Sequence, residues 1–346
     1  MSSSIVNSKP YPFQFEPENG NNTTNETYQA NVQNVRGGRP SPQASRLRTM
    51  MLEAWKQPNK IVAMACSFDA LSSKLAEQAG FPVVFLSGFP VAGSLGLPDT
   101  GYIAFGEMSQ KVAETARQVQ CPILVDGDTG YGGPMNVKRA VYGFALAGAA
   151  GVMIEDQTWP KRCGHTQGKA VVPEDEAYAR MQAAVDARNE GMDIWILGRT
   201  DSFIHGYDEA LKRARRYIEI GVDAVFVEAV PDRATMERFA RDLDFPMMAN
   251  IIPGGRTESV SAASLAEMGY SAVVYPFTIL AAAIQGIRES LEELKESFTS
   301  DTIPRTLPAS DVMEAVGFPQ YYQEEERYAY SGMLNGTKGY QWEHKV

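Results

Sequence analysis

From "SRLRTMMLEAWKQ" (45–57) onward, short apolar runs alternate with amphipathic stretches at a steady interval. The runs span 61–67, 82–88, 122–128, 150–156, 193–201, 224–230, 246–252 and 272–277, as in "IVAMACS" and "DIWILGRTD". Between them lie segments with helical period, such as "ALSSKLAEQAG" and "DEALKRARRYIEIG", several closing on a glycine as helix C-caps do. The runs are continuously apolar rather than alternating, which predicts strands buried on both faces of a parallel sheet. Eight such strands with helices between them predict a (β/α)8 barrel. The competing doubly wound sheet is disfavoured because no Gly-x-Gly-x-x-Gly follows the first strand.

The carboxyl ends of these runs carry polar groups: Ser87, Asp126 and Asp128, Glu155 and Asp156, Arg199 and Asp201, Glu228, Asn250. Any one of them reads equally well as a helix cap. Recurring on strand after strand, they predict a site at the barrel's C-terminal mouth, where all eight ends meet. Residues 1–45 are rich in Asn, Ser, Gln, Pro and Gly and are expected to be a disordered extension. The barrel is expected over 46–300, with 283–298 as its closing helix. Residues 301–346 have helical and aromatic patches without the barrel period. They are expected to pack on the barrel or on a neighbouring subunit.

Composition narrows the function classes. A formal charge of −10 and a pI near 5.0 leave no basic footprint, which argues against nucleic-acid binding. An anionic substrate must then be captured by local cations. The chain has no run of 18 apolar residues and no basic start followed by an apolar core, so neither a membrane span nor a secretory signal is expected. Three scattered cysteines suggest a reducing compartment, and cytoplasmic residence is the default expectation.

Two segments carry chemistry. "VDGDTGYGG" (125–133) sets Asp126 and Asp128 two apart at a strand end, which in a strict strand turns both to one face. With Glu155 they make a hard oxygen site suited to Mg2+. The bland reading is an Asp-Gly turn with a capping aspartate. Arg199 offers a planar fork for a carboxylate, or else a salt bridge to Asp201 or Glu228; both can hold at once. Asn250 is a candidate donor to a second carboxylate. Cys66 and Cys121 lie in or beside strands and read as small core residues. Cys163 differs. In "WPKRCGHTQGK" (159–169) it lies among Lys161, Arg162 and His165, and nearby cations favour the thiolate. General acid–base action in a loop closing over substrate suits it better than metal ligation or a Cys-His nucleophile.

"KRCGH" after "IEDQ", preceded by "SLGLPD" (94–99) and "DGDTGYGG", resembles the isocitrate lyase/phosphoenolpyruvate mutase superfamily over about residues 45–330. It is most similar to the 2-methylisocitrate lyases, 2,3-dimethylmalate lyase and oxaloacetate acetylhydrolase-like enzymes. The resemblance implies a Mg2+-dependent barrel, with Mn2+ as a substitute, acting on a small di- or tricarboxylate. It also implies a final helix exchanged between subunits and a homotetramer built of dimers. By the same resemblance Asp126, Asp128, Asp99 and Glu155 hold the metal. Ser87, Gly88, Gly164, His165, Arg199, Asn250, Thr257 and Pro276 face substrate, Glu228 orients Arg199 or the substrate, and Cys163 delivers a proton. The implied reaction is retro-aldol cleavage of a 2-hydroxy acid to pyruvate or glyoxylate and succinate or a relative. Hydrolysis of oxaloacetate to oxalate and acetate is the alternative, with a phosphonate-type mutase or a non-catalytic carboxylate binder ranked below it. Pro276 matches the lyases, whereas the oxaloacetate-hydrolysing enzymes carry serine. The chain departs from the family in three places: Phe85 stands where a tyrosine is usual, the segment after it is one residue shorter, and Glu258 follows Thr257 where proline is usual.

Overall fold

The computed structural model describes residues 38–164, 166 and 168–328, so the stretches 1–37 and 329–346 and the residues His165 and Gln167 lie outside the described residues. The strands are β1 Val62–Ser67, β2 Val83–Leu86, β3 Ile123–Asp126, β4 Gly151–Glu155, β5 Trp195–Thr200, β6 Ala224–Val227, β7 Met248–Asn250 and β8 Ala272–Val274. All pair in parallel, in the order β6-β5-β4-β3-β2-β1-β8-β7. A parallel bridge from Val225 to Met247 joins β6 to β7 and brings the ends of the sheet together. This is the expected (β/α)8 barrel.

The continuous apolar runs are explained by their two faces. Val62, Met64 and Cys66 of β1, Val83 and Phe85 of β2, Leu124, Met153, Trp195, Leu197, Ala224, Phe226, Met248, Ala272 and Val274 form one buried cluster inside the barrel. The intervening residues, among them Ala63, Val84, Val125, Val152, Ile196 and Val225, belong to a second cluster with the surrounding helices. Both parities are apolar because both faces are covered.

The first described helix, Pro42–Lys56, opens inside the stretch expected to be an extension to residue 45. Ser41 caps it by accepting the Ala44 N–H, and Pro42 suits the first turn. Its apolar face, Leu47, Met50, Met51 and Ala54, joins the interior cluster. Leu47 reaches Gly151 at the start of β4, where an added Cβ would lie 2.9 Å from Leu47 Cδ2 and 3.0 Å from Trp195 Cε3. The helix thus plugs the barrel's N-terminal end. This packing explains why a helix begins upstream of residue 46.

The chain divides into two compact units, residues 1–281 and 282–346. The helix expected over 283–298 begins earlier, at Thr278, and runs to Ser297. In the second unit, helices Ala309–Val316 and Phe318–Arg327 contain no buried residue. No helix among the described residues is long and apolar enough to cross a membrane.

Candidate active site

The interior parity, carried one step past each apolar core, delivers the polar groups to the mouth. Two residues beyond Leu124, Met153, Leu197, Phe226 and Met248 stand Asp126, Glu155, Arg199, Glu228 and Asn250. Ser87 follows Phe85 in the same way, and Pro276 follows Val274. Each is placed by the same period-two geometry that fills the barrel below it. Asp126, Glu155, Arg199, Glu228 and Ser87 are all less than a tenth exposed.

Asp126 and Asp128 come together, though not as alternate residues of one strand. β3 ends at Asp126, and Asp128 adopts a left-handed backbone (φ 47°) in the turn beyond. Asp126 Oδ1 accepts the Asp128 N–H at 3.1 Å, so the Asp-Gly turn holds the pair in place. Asp126 Oδ2 accepts the Gly88 N–H at 2.9 Å. A Cβ on Gly88 would lie 2.9 Å from that oxygen and 3.3 Å from Lys161 Nζ. Only glycine leaves this cradle open. Ser87 precedes it as the cap residue of the helix Gly88–Ser94, and its hydroxyl makes no capping bond.

Lys161 departs from expectation. Instead of poising the Cys163 thiol, its ammonium lies buried 2.5 Å from Asp99 Oδ1 and 2.6 Å from Asp128 Oδ1. The reason is charge: Asp99, Asp126, Asp128 and Glu155 outnumber the cations on this side of the mouth. Burial, with Asp126 and Asp99 nearby, pushes the Asp128 carboxyl up to about 7 even against Lys161. Burial likewise raises Glu155 well above the usual carboxylate range, and its Oε1 has no hydrogen-bond partner among the described residues. No three acidic, histidine or cysteine groups among those residues are gathered closely enough to hold an ion directly. The donor set is nevertheless all-oxygen and short of positive charge, and one buried oxygen is unsatisfied; these residues fit a hard divalent cation.

Across the mouth, Arg199 is engaged by three carboxylates. Its Nε lies 2.8 Å from Asp201 Oδ2 and 3.1 Å from Glu155 Oε2, and its Nη2 lies 3.1 Å from Glu228 Oε2. These neighbours hold the guanidinium firmly charged despite the cost of burial. Nη1 has no hydrogen-bond partner among the described residues. Asn250 stands beside Glu228, with Nδ2 at 3.5 Å from Oε2 and its Oδ1 buried without a hydrogen-bond partner among the described residues. Thr257 is buried beside Asn250 along one small cavity with Phe226 and Ala249. Pro276 is buried just beyond β8.

Between the two halves runs the loop of Cys163, which is partly buried. Gln157, itself buried, clamps the backbone just before it: Nε2 donates to the Arg162 carbonyl at 2.9 Å and Oε1 accepts the Arg162 N–H at 3.0 Å. Gly164 packs on Glu228 so tightly that a Cβ would overlap the carboxylate. His165 lies outside the described residues. Cys66 and Cys121 are buried, as core residues should be, and burial pushes both thiols up, Cys121 to about 12.

Some contributors escaped the sequence reading. Gln157 closes "IEDQ" and Lys169 closes "WPKRCGHTQGK", and neither residue's partner is legible from the motif. Tyr131, at φ 61° within the glycine-rich turn, buries a hydroxyl with no partner among the described residues. Phe85, where a tyrosine was expected, is 3 % exposed in the interior cluster and offers no polar atom to the mouth.

The chain matches the phosphoenolpyruvate phosphomutase family model over residues 52–295. It is 36% identical over 276 residues to a probable 2-methylisocitrate lyase of Corynebacterium glutamicum, covering 79% of this chain and 90% of the relative. With the 2-methylisocitrate lyase of Aeropyrum pernix it shares 33% over 278 residues, 80% of this chain and 89% of the relative. The crystal structure of a 2,3-dimethylmalate lyase superposes with a TM-score of 0.78 at 31% identity, covering 84% of this chain and 97% of that one. Oxaloacetate acetylhydrolase, with 3,3-difluorooxalacetate bound, superposes at 0.77 and 27% identity, covering 83% and 97%. The chain belongs to the phosphoenolpyruvate mutase/isocitrate lyase superfamily, among whose members its named relatives are chiefly carbon–carbon lyases.

Proposed function

We propose that this chain cleaves a 2-methylisocitrate-like or substituted-malate substrate into an α-keto acid and a dicarboxylate. The observation that carries this reading is the division of the mouth: buried carboxylates crowd one side, and Arg199, with an uncommitted Nη1, stands on the other. A divalent cation, Mg2+ or Mn2+, held by Asp126, Asp128, Asp99 and Glu155, would lower the pKa of the substrate's 2-hydroxyl. Ser87 and the Gly88 backbone seat the keto-acid half beside it. Arg199 and Asn250, with Gly164, His165 and Thr257, hold the far carboxylates, and Glu228 keeps Arg199 in position. Transfer of the hydroxyl proton to a base or a water at the mouth turns C–O into C=O as the adjacent carbon–carbon bond breaks. The electron pair passes to the departing carbon, where its own carboxylate delocalises it. Cys163 then gives its Sγ proton to that carbon, so pyruvate and succinate are the products from 2-methylisocitrate.

A homotetramer of helix-exchanged dimers is part of the same proposal. Ile284, Ile287, Leu291, Leu294 and Phe298 recur at spacings of three and four along one stripe and are 41–80 % exposed in the protomer. Such a stripe supports burial against a second copy.

Oxaloacetate hydrolysis is the second reading, favoured by the 0.77 superposition on oxaloacetate acetylhydrolase. The test is incubation with 2-methylisocitrate, 2,3-dimethylmalate, isocitrate and oxaloacetate, each with Mg2+ and with EDTA. EDTA-sensitive release of pyruvate or glyoxylate is expected. Oxalate and acetate from oxaloacetate alone would establish the hydrolase instead, and inertness towards all four would leave a carboxylate-binding protein.

A further inference from the structure

Lys169 ends the Cys163 loop, and the proposed chemistry makes no use of it. Its Nζ lies 2.6 Å from Asp201 Oδ1, with the two side chains 2 % and 0 % exposed. A lysine so thoroughly desolvated is expensive unless its charge is matched, and here one carboxylate matches it. The same Asp201 oxygens accept from Arg199, Oδ2 from Nε at 2.8 Å and Oδ1 from Nη2 at 3.2 Å. Asp201 is fixed in turn by its own N–H, which donates to Asp156 Oδ1 at 2.8 Å. Arg199 is thus shared among three carboxylates, those of Asp201, Glu155 and Glu228. A guanidinium so shared would present little positive potential to a further anion. Lys169 supplies the second positive charge.

We infer that Lys169 is a positioning residue: by taking up the charge of Asp201 it leaves Arg199 Nη1 able to bind a substrate carboxylate, and it makes that capacity depend on the loop being seated. The loop meets the Arg199 cluster twice, through Lys169 on Asp201 and through Gly164 on Glu228. When the loop lifts, Asp201 loses its lysine and Arg199 turns back to neutralising it. Carboxylate capture and placement of Cys163 are then one event. The inference rests on the reading of Arg199 as the carboxylate-binding residue.

The test measures calorimetric affinity for succinate and for pyruvate, each in the presence of Mg2+, in the wild type, Lys169→Met, Lys169→Arg, Arg199→Gln and Asp201→Asn. Lys169→Met is expected to weaken succinate binding tenfold or more and to leave pyruvate, which has no far carboxylate, within twofold. Lys169→Arg should restore succinate affinity to within threefold of wild type. With Asp201→Asn the lysine has no charge left to offset, so adding Lys169→Met should cost less than threefold further. Undiminished succinate affinity in Lys169→Met overturns the inference, as does equal loss of both ligands. Should Lys169→Met not fold, the Asp201→Asn/Lys169→Met pair decides, since a tenfold loss there shows that the lysine acts otherwise than through Asp201. If Arg199→Gln binds succinate normally, the reading of Arg199 itself falls. If Arg199→Gln weakens succinate and Lys169→Met does not, only the role of Lys169 falls.

Discussion

Lys161 and Gly164, three residues apart on one loop, meet opposite halves of the mouth, and each supports a separate prediction. Lys161 places a full positive charge between Asp99 and Asp128. Like charges in a low-dielectric setting repel strongly, so the lysine opposes entry of a cation among the same carboxylates. Lys161→Met should bind Mn2+ at least threefold more tightly than wild type, read by calorimetry or by loss of the free-Mn2+ resonance. Unchanged or weaker binding would show that the lysine organises the carboxylates instead of competing for them. Gly164 has no room for a Cβ against Glu228. Gly164→Ala should therefore keep the loop from seating and lower kcat a hundredfold or more on whichever substrate is turned over. Its melting temperature should stay within a degree or two, because the loop adds nothing to the apolar core. A fully active Gly164→Ala enzyme would mean that the seated loop is not the working state.

The elements differ in how openly they announce themselves. Strands with both faces buried and helices ending in glycine are legible because the pattern and the cap are local properties. The helix Pro42–Lys56 is less so, since its apolar face acquires meaning only as the plug of the barrel's N-terminal end. Leu47 is fully buried against Gly151 at that end. Leu47→Ala should cost about 2–5 kcal/mol, the range for emptying a buried leucine site in a core that relaxes incompletely. Denaturant titration would read this as a lower midpoint, and a loss below about 1 kcal/mol would mean that the end of the barrel collapses around the gap. The bounds of β7 and β8 are three residues each, shorter than their apolar runs.

At the scale of the whole molecule, the protomer exposes apolar side chains that water does not favour. Ile287 and Leu291 on the helix Thr278–Ser297, and Phe298 just past its end, are 60, 58 and 80 % exposed. If a second copy covers them, Ile287→Glu with Leu291→Glu should reduce the mass seen by light scattering towards that of one chain, because two buried charges per protomer cannot be neutralised at such an interface. Wild-type mass in the double variant would place the interface elsewhere. The net charge of −10 bears on the same scale, since under the proposed function capture of a dicarboxylate would depend on the few cations of the mouth and not on the overall field.

The barrel was legible in the sequence, because continuous apolar runs alternating with amphipathic segments are compatible with few other folds. So was the gathering of polar residues at one mouth of the barrel, since they recur at the ends of those runs. The block "KRCGH" with "DGDTGYGG" was enough to indicate the family. What the sequence could not show was how charges are shared among residues brought together from different strands. Lys161 looked like a neighbour of Cys163 and proved to be the counter-ion of Asp99 and Asp128, while Lys169 looked incidental and proved to share Asp201 with Arg199. Local pattern follows from each segment's own period and burial. Ion pairing depends on which oxygens and nitrogens the closed barrel places within 3 Å or so of one another, and only the tertiary structure sets that.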